Sequence, residues 1–399
     1  MLAEQITKAL WCLRWLPAYG WQQLARRPRR GPLHLMMTLA DHFEPAIVPG
    51  EPKKWASADE QERRLERWAV EYPRAVEAWR DADGRPLRHT YFYPAEQYHK
   101  TLIDRLAEHC HAGWGEIEVQ LHHGVDASDT GENTRRLLCE FRNALAQRGC
   151  LSQWDGAGRP RYAFVHGNGA LANGAGGRFC GVDEEMQILA ETGCYADLTL
   201  PSGPYDAPAG KINRLYECAL PLRERAPHRR GRDLRRGRPP ETFPLIIQGP
   251  LGLDLTRRLR RWPWPRIEGG AITASCPPMM HRLTLWLRPA ITVRSRPDWL
   301  FVKLHCHGMD PRDEAVMFGA PMRRFLQELA SETRATGTYR IHFVTAREMV
   351  NVILAACDGR EGNPADYRDY RLRMSTPQRE AQPTVRQDIV PSARRLPGE

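Results

Sequence analysis

A chain of 399 residues with 42% hydrophobic content can bury a full core, in one large domain or two smaller ones. No run approaches the ~20 consecutive apolar residues of a membrane span, and the ten cysteines carry neither a CxxC pair nor framework spacing, which excludes a disulfide scaffold and leaves reduced, mostly buried thiols. The net charge of +10 raises nucleic acid as a partner, but only six of the basic residues are lysine and the arginine-rich run 223–238 has no aromatics on which bases could stack, so that partner is set aside.

The first 32 residues combine Trp11, Trp15 and Trp21 with Lys8, Arg14, Arg26, Arg27, Arg29 and Arg30. That is the make-up of a helix lying on an anionic membrane surface, although an N-terminal helix packed on the domain is the favoured expectation. No basic leader with a clean apolar core and a cleavage site precedes it, so the expected location is cytoplasmic, at most peripheral to the inner membrane face. One domain is expected over residues 33–375. Its helices are predicted at 58–82, kinked by Pro73, and at 94–111, 134–148, 183–192, 322–333 and 346–356. Gly193 would end the fourth of these as a C-cap, and Thr345 would open the last as an N-cap. Strands are predicted at 117–121, 162–166, 196–200, 245–248, 299–305 and 339–344, with a first apolar run from residue 33. Strands alternating with helices of this length make an α/β protein with a largely parallel sheet, and the number of units favours a barrel over an open sheet. Residues 201–244, rich in Pro and Arg, read as an insertion with a solvated basic loop, and the polar residues 376–399 as a disordered tail.

Four segments place histidines and carboxylates just beyond strand-like runs: LHLMMTLADHFEP (33–45), GEIEVQLHHGVDASD (115–129), YAFVHGNGALAN (162–173) and WLFVKLHCHG (299–308). Strand ends of this kind converge at the carboxyl edge of a sheet. His122 and Asp126, four apart after a strand, can turn onto one divalent ion, with His123 beside them; zinc or a similar first-row ion suits these donors. Asp41 and His42 form a second pair, although Asp41 could instead cap a turn. His305 and His307 share a strand face, and Cys306 between them points away. His166 and Asn168 are available to bind substrate or an oxyanion. Glu184 and Glu185 open a helix, where the dipole alone accounts for acidic residues.

The order of an apolar strand ending in T-x-x-D, then E-x-x-x-H-x-x-x-D, then Leu-His near the carboxyl end resembles the polysaccharide deacetylase superfamily. With FVHGNGALAN, CGVDEEMQILAETGCYADLTLPS, KINRLY and YRIHFVTAREMVN, the resemblance covers most of residues 33–370 and points to a divergent bacterial branch. It implies a distorted (β/α) barrel, here of about seven strands with an N-terminal helix and the Arg-rich insertion. It also implies a metal-dependent hydrolase that removes acetyl groups from an N- or O-acetylated glycan or lipid-linked sugar. The ligands would be Asp41, His122 and Asp126, the ion zinc, with manganese, cobalt or nickel as alternatives, and His305 the general acid. The chain departs from the pattern at Ala40, where a base aspartate is expected, and at His42, which replaces a small residue. Either Asp41 is a ligand and Glu44 or His42 the base, or Asp41 is the base and His42 the ligand. The missing aspartate also permits a catalytically silent barrel that binds carbohydrate or an assembly partner.

Overall fold

The computed structural model describes residues 14–25, 32–51, 53–201, 210–255 and 266–375. The expectations for the tail at 376–399 and for the arginines at 26–30 lie outside them. Residues 14–24 form helix α1, whose Trp15 and Tyr19 pack on Ile212 and Leu251 while Trp21 and Leu24 stay exposed. No helix among the described residues is long and apolar enough to cross a membrane.

The strand that organises the fold is β1 (Leu33–His42), whose odd-numbered apolar residues Leu33 to Leu39 face a helix layer and whose Met36 and Ala40 face the opposite core. It pairs in parallel with three neighbours: β13 (Trp299–Cys306), β14 (Tyr339–Phe343) and β2 (His89–Pro94). Beyond β2 the parallel ladder continues through β3 (Gly115–Leu121), β5 (Ala157–His166), β6 (Cys194–Asp197) and β9 (Leu245–Ile247), and beyond β13 it ends at β12 (Ala271–Ile272).

A closed barrel of about seven strands does not form. Thirteen strands make one mixed sheet curved into a half-barrel, because β7 (Leu215–Cys218) and β8 (Gly231–Asp233) add to β9 antiparallel, and β4 (Ser152–Trp154) with β15 (Leu372–Met374) does so beside β5. These additions are three or four residues long, too short to carry a readable two-residue period. Two of them lie in the stretch expected to be an insertion loop; there His228 and Leu234 are buried, and Arg232 is tied to Glu217 at 2.7 Å. A separate hairpin pairs β10 (Gly252–Asp254) with β11 (Arg266–Glu268).

The helices fall close to expectation. In α2 (Ala58–Val76) the Ser57 hydroxyl caps the Glu60 amide, and Leu65, Trp68 and Tyr72 face the sheet; the helix passes through Pro73 but stops six residues short of position 82. The remaining helices before the last are α3 (Lys100–His109), α4 (Gly131–Gln147), α5 (Glu185–Thr192, ended by Gly193 at φ 107°), the short α6 (Met280–Leu287) and α7 (Glu314–Met317), and α8 (Ala320–Thr336). The last helix, α9 (Ala346–Cys357), is buried along its whole length and shares a core with the inward residues of β1, β5 and β13.

A polar knot anchors α9 at the amino ends of β2 and β3. Thr345 and Glu348 form a capping box, Arg347 reaches Glu116 at 2.7 Å, and Glu348 is held by Arg88 at 2.5 Å and Arg368 at 3.3 Å. Burial alone would raise the Glu348 carboxyl, but Arg88, Arg347 and Arg368 outweigh it and hold the group well below its ordinary 4.5. A depressed carboxylate contributes stability that is fully present above its unfolded value and lost as the pH falls below it. Glu348→Gln should therefore lower unfolding free energy at pH 7 by roughly 3–5 kcal/mol, the cost of breaking a buried charge network, and should flatten the loss of stability that the parent chain shows below about pH 4.5. Urea unfolding at pH 7 and pH 4 checks both; an unchanged midpoint would contradict the role.

Candidate metal centre at the carboxyl edge

The β1–β13 register sets Ala40 opposite His305 and Asp41 opposite Cys306, so His42 and His307 follow as the next neighbours at the carboxyl edge. Their rings lie 4.9 Å apart between centroids, with His305 6.5 Å from His42. Glu44, two residues past the end of β1, turns into the same space, and one donor atom from each of His42, Glu44 and His307 can meet within 4.8 Å. His42 and His307 remain partly exposed while Glu44 is buried, so the group lies at the mouth of the half-barrel.

The fourth imidazole comes from β3. His122 donates through Nδ1 to Glu96 at 2.7 Å and through its backbone N–H to the same carboxylate at 3.2 Å. Its Nε2 lies 3.4 Å from Glu44, and Gln120 on the same strand face donates to Glu44 at 2.5 Å. Burial would lower the His122 ring, but Glu44 and Glu96 outweigh that and raise it to about 10. His42 is different. Burial first, then His307, His305 and His122, hold it well below its ordinary value. His305, deeper on the strand, is pushed to about 3 by burial and by Lys303 and His307. Lys303 itself is lowered by burial to about 7 and donates to the carbonyls of Leu198 at 2.6 Å and Leu200 at 2.9 Å, spanning the gap between β13 and the end of β6.

Five of the residues singled out from sequence therefore meet here: His42, Glu44, His122, His305 and His307. The others do not. Asp41 points to the opposite side of the sheet, where His89 Nδ1 at 2.8 Å and the Gly308 amide at 2.6 Å hold it beneath Trp68. Asp126 is exposed and paired with Lys53 at 2.7 Å, away from His122. His123, adjacent to His122, turns the other way toward Glu185, His166 and Cys180. Asn168 lies after β5 with its amide nitrogen buried and without a hydrogen-bond partner among the described residues.

Glu96, Gln120 and Lys303 were missed by sequence reasoning. Gln120 and Lys303 did leave a signal: each is a polar residue inside an apolar strand, two places before a histidine and hence on its face.

Among the described residues, three groups of side chains are close enough to hold a metal ion: His42, Glu44 and His307; Asp41, His89 and Cys306; and His123, His166, Cys180 and Glu185. The chain matches no protein-family model, and no curated protein matches it. The deacetylase resemblance thus rests on its own motif residues, and the site is read from its geometry.

The position of His122 depends on Gly167, because a Cβ there would lie 2.3 Å from the imidazole. Gly167→Ala should displace the ring and cost about 1–3 kcal/mol, as overpacking does. A shifted His122 resonance with a lowered urea midpoint is the expected result; an unmoved resonance and an unchanged midpoint would contradict the packing described.

Proposed function

We propose that the protein is a metal-dependent hydrolase whose ion is held by His42, Glu44 and His307. The observation that carries this reading is the convergence of two imidazoles and one carboxylate at the open edge of a parallel sheet. Two histidines and a glutamate are the donor set of one class of catalytic zinc site, which leaves a position free. The buried Nδ1 of His42, which has no hydrogen-bond partner among the described residues, fits the same reading. An ion held there would supply Lewis-acid activation of water and of a substrate carbonyl.

The chain's own residues supply the rest. Glu96 fixes the His122 ring, which stands beside Glu44 as the group that carries a proton to the leaving atom. His305, kept neutral beside Lys303, offers a hydrogen bond to substrate rather than a proton, which moves the acid role from His305 to His122. Asn168 can receive a substrate carbonyl or hydroxyl. Asp41 serves as a buried tie between β1, β2 and the residues after β13. The substrate class implied by the motif resemblance is an N- or O-acetylated glycan or lipid-linked sugar. A cytoplasmic site peripheral to the membrane belongs to the same proposal, supported by Trp21 and Leu24 exposed on α1. A binding-only protein is favoured by one observation: Ala40, opposite His305, stands where the motif resemblance would place a base aspartate.

Metal analysis and an acetate-release screen on acetylated glycans test the proposal. His42→Ala and His307→Ala should each lose one equivalent of metal and all acetate release. His122→Asn should keep the metal and lose roughly two to four orders of magnitude in turnover, the usual worth of a positioned acid. Full metal content in both alanine variants would overturn the ligand assignment; bound metal without acetate release from any glycan would favour the binding-only reading.

A further inference from the structure

We propose that His123, His166, Cys180 and Glu185 form a second, closed metal site that holds a structural ion, with zinc the chemical class that fits. The four come from the ends of β3 and β5, from the loop after β5 and from the first turn of α5, and all four are buried. Sequence reading had given His123 to the same ion as His122 and had explained Glu185 by the helix dipole alone.

Distances carry the proposal first. With zinc–ligand bonds of about 2.0–2.3 Å, donors at the corners of a tetrahedron lie roughly 3.3–3.8 Å apart. Glu185 Oε1 is 3.0 Å from His123 Nε2 and 3.9 Å from His166 Nε2, and Cys180 Sγ is 3.7 Å from Glu185 Oε2. Small side-chain shifts close this set on one ion.

Two further observations are independent of those distances. His166 is fully buried, yet neither ring nitrogen has a hydrogen-bond partner among the described residues, an expensive state that a ligand relieves. His123 turns its Nε2 to the cluster while Nδ1 donates to Asp129 at 2.9 Å, and Asp129 is itself held by the Thr134 hydroxyl at 3.0 Å, the Asn133 amide at 2.8 Å and the Thr130 backbone at 2.8 Å. A carboxylate behind a histidine, fixed by its own hydrogen bonds, is the support that metal-ligating imidazoles have.

The site also explains a strained loop. Between His166 and Glu185, Ala172, Asn173 and Phe179 adopt left-handed φ of 48°, 54° and 63°. Non-glycine residues stay in that region only where surrounding structure over-determines them. One ion bonded to β3, β5, the loop and α5 does so. With four protein ligands and no exposed edge, the site has no open position for chemistry, unlike the group at His42.

The test separates the two sites. In the His42→Ala/His307→Ala double variant, one equivalent of zinc should remain after dialysis, and Cys180→Ser added to it should remove that equivalent. In the parent chain, cobalt substitution should give a thiolate-to-cobalt charge-transfer band, which needs no variant to fold. Asp129→Asn should weaken this ion 10–100-fold while leaving the first site's content unchanged. No zinc in the double variant together with no thiolate band in the cobalt protein would overturn the proposal without touching the reading of the first site, and so would zinc retained in full after Cys180→Ser.

Discussion

The parallel pairing of β1 with β13 is the constraint on which the candidate site depends. Eight consecutive pairs, from His34 with Trp299 to Asp41 with Cys306, bring His42 beside His307 as the strands end. The same alternation sends Asp41 and Cys306 to the other side, into a pocket roofed by Trp68. A slip of β1 by one residue would turn the Asp41 carboxylate to the mouth and the His42 imidazole in toward Trp68. The apolar face of β1 forbids that slip, since Leu35, Met37 and Leu39 would lose the helix layer together.

Crowding then divides the histidines by role. Burial and mutual repulsion leave His42 and His305 neutral, the form in which an imidazole binds a metal or accepts a proton. His122 is cationic because two carboxylates flank it. Its immediate neighbour His123 is raised to about 12: burial lowers it, and Asp129, Cys180 and Glu185 more than reverse that. Consecutive histidines after one strand thus serve two different clusters, one open and one sealed.

Much of the framework was legible because long elements carry a clear period: α4, α8, α9, β3 and β13 lie within a few residues of their predicted places. What failed was closure of the barrel. The hairpin strands beside β5 and β9 are short, although Asp155–Gly156, with φ of 52° and 79°, is a two-residue turn whose Asp-Gly signal stood in the sequence. At the site, residues one apart were grouped by proximity in sequence, so His122 and His123, and Asp41 and His42, were assigned together, whereas strand geometry separates each pair. Asp126 looked like a ligand by spacing, but Gly124 at φ 63° turns the chain outward and leaves it on Lys53. Cys180 left no periodic signal, because a glycine-rich loop with irregular backbone carries it into the core.

The most direct measurement of the central claim is an anomalous difference map from crystals of the zinc-loaded protein. The account predicts a peak at the carboxyl edge of β1 and β13, about 2.0–2.2 Å from one nitrogen each of His42 and His307 and from a Glu44 oxygen. A peak bonded instead to Asp41 or Asp126, or no peak at that edge, would contradict it.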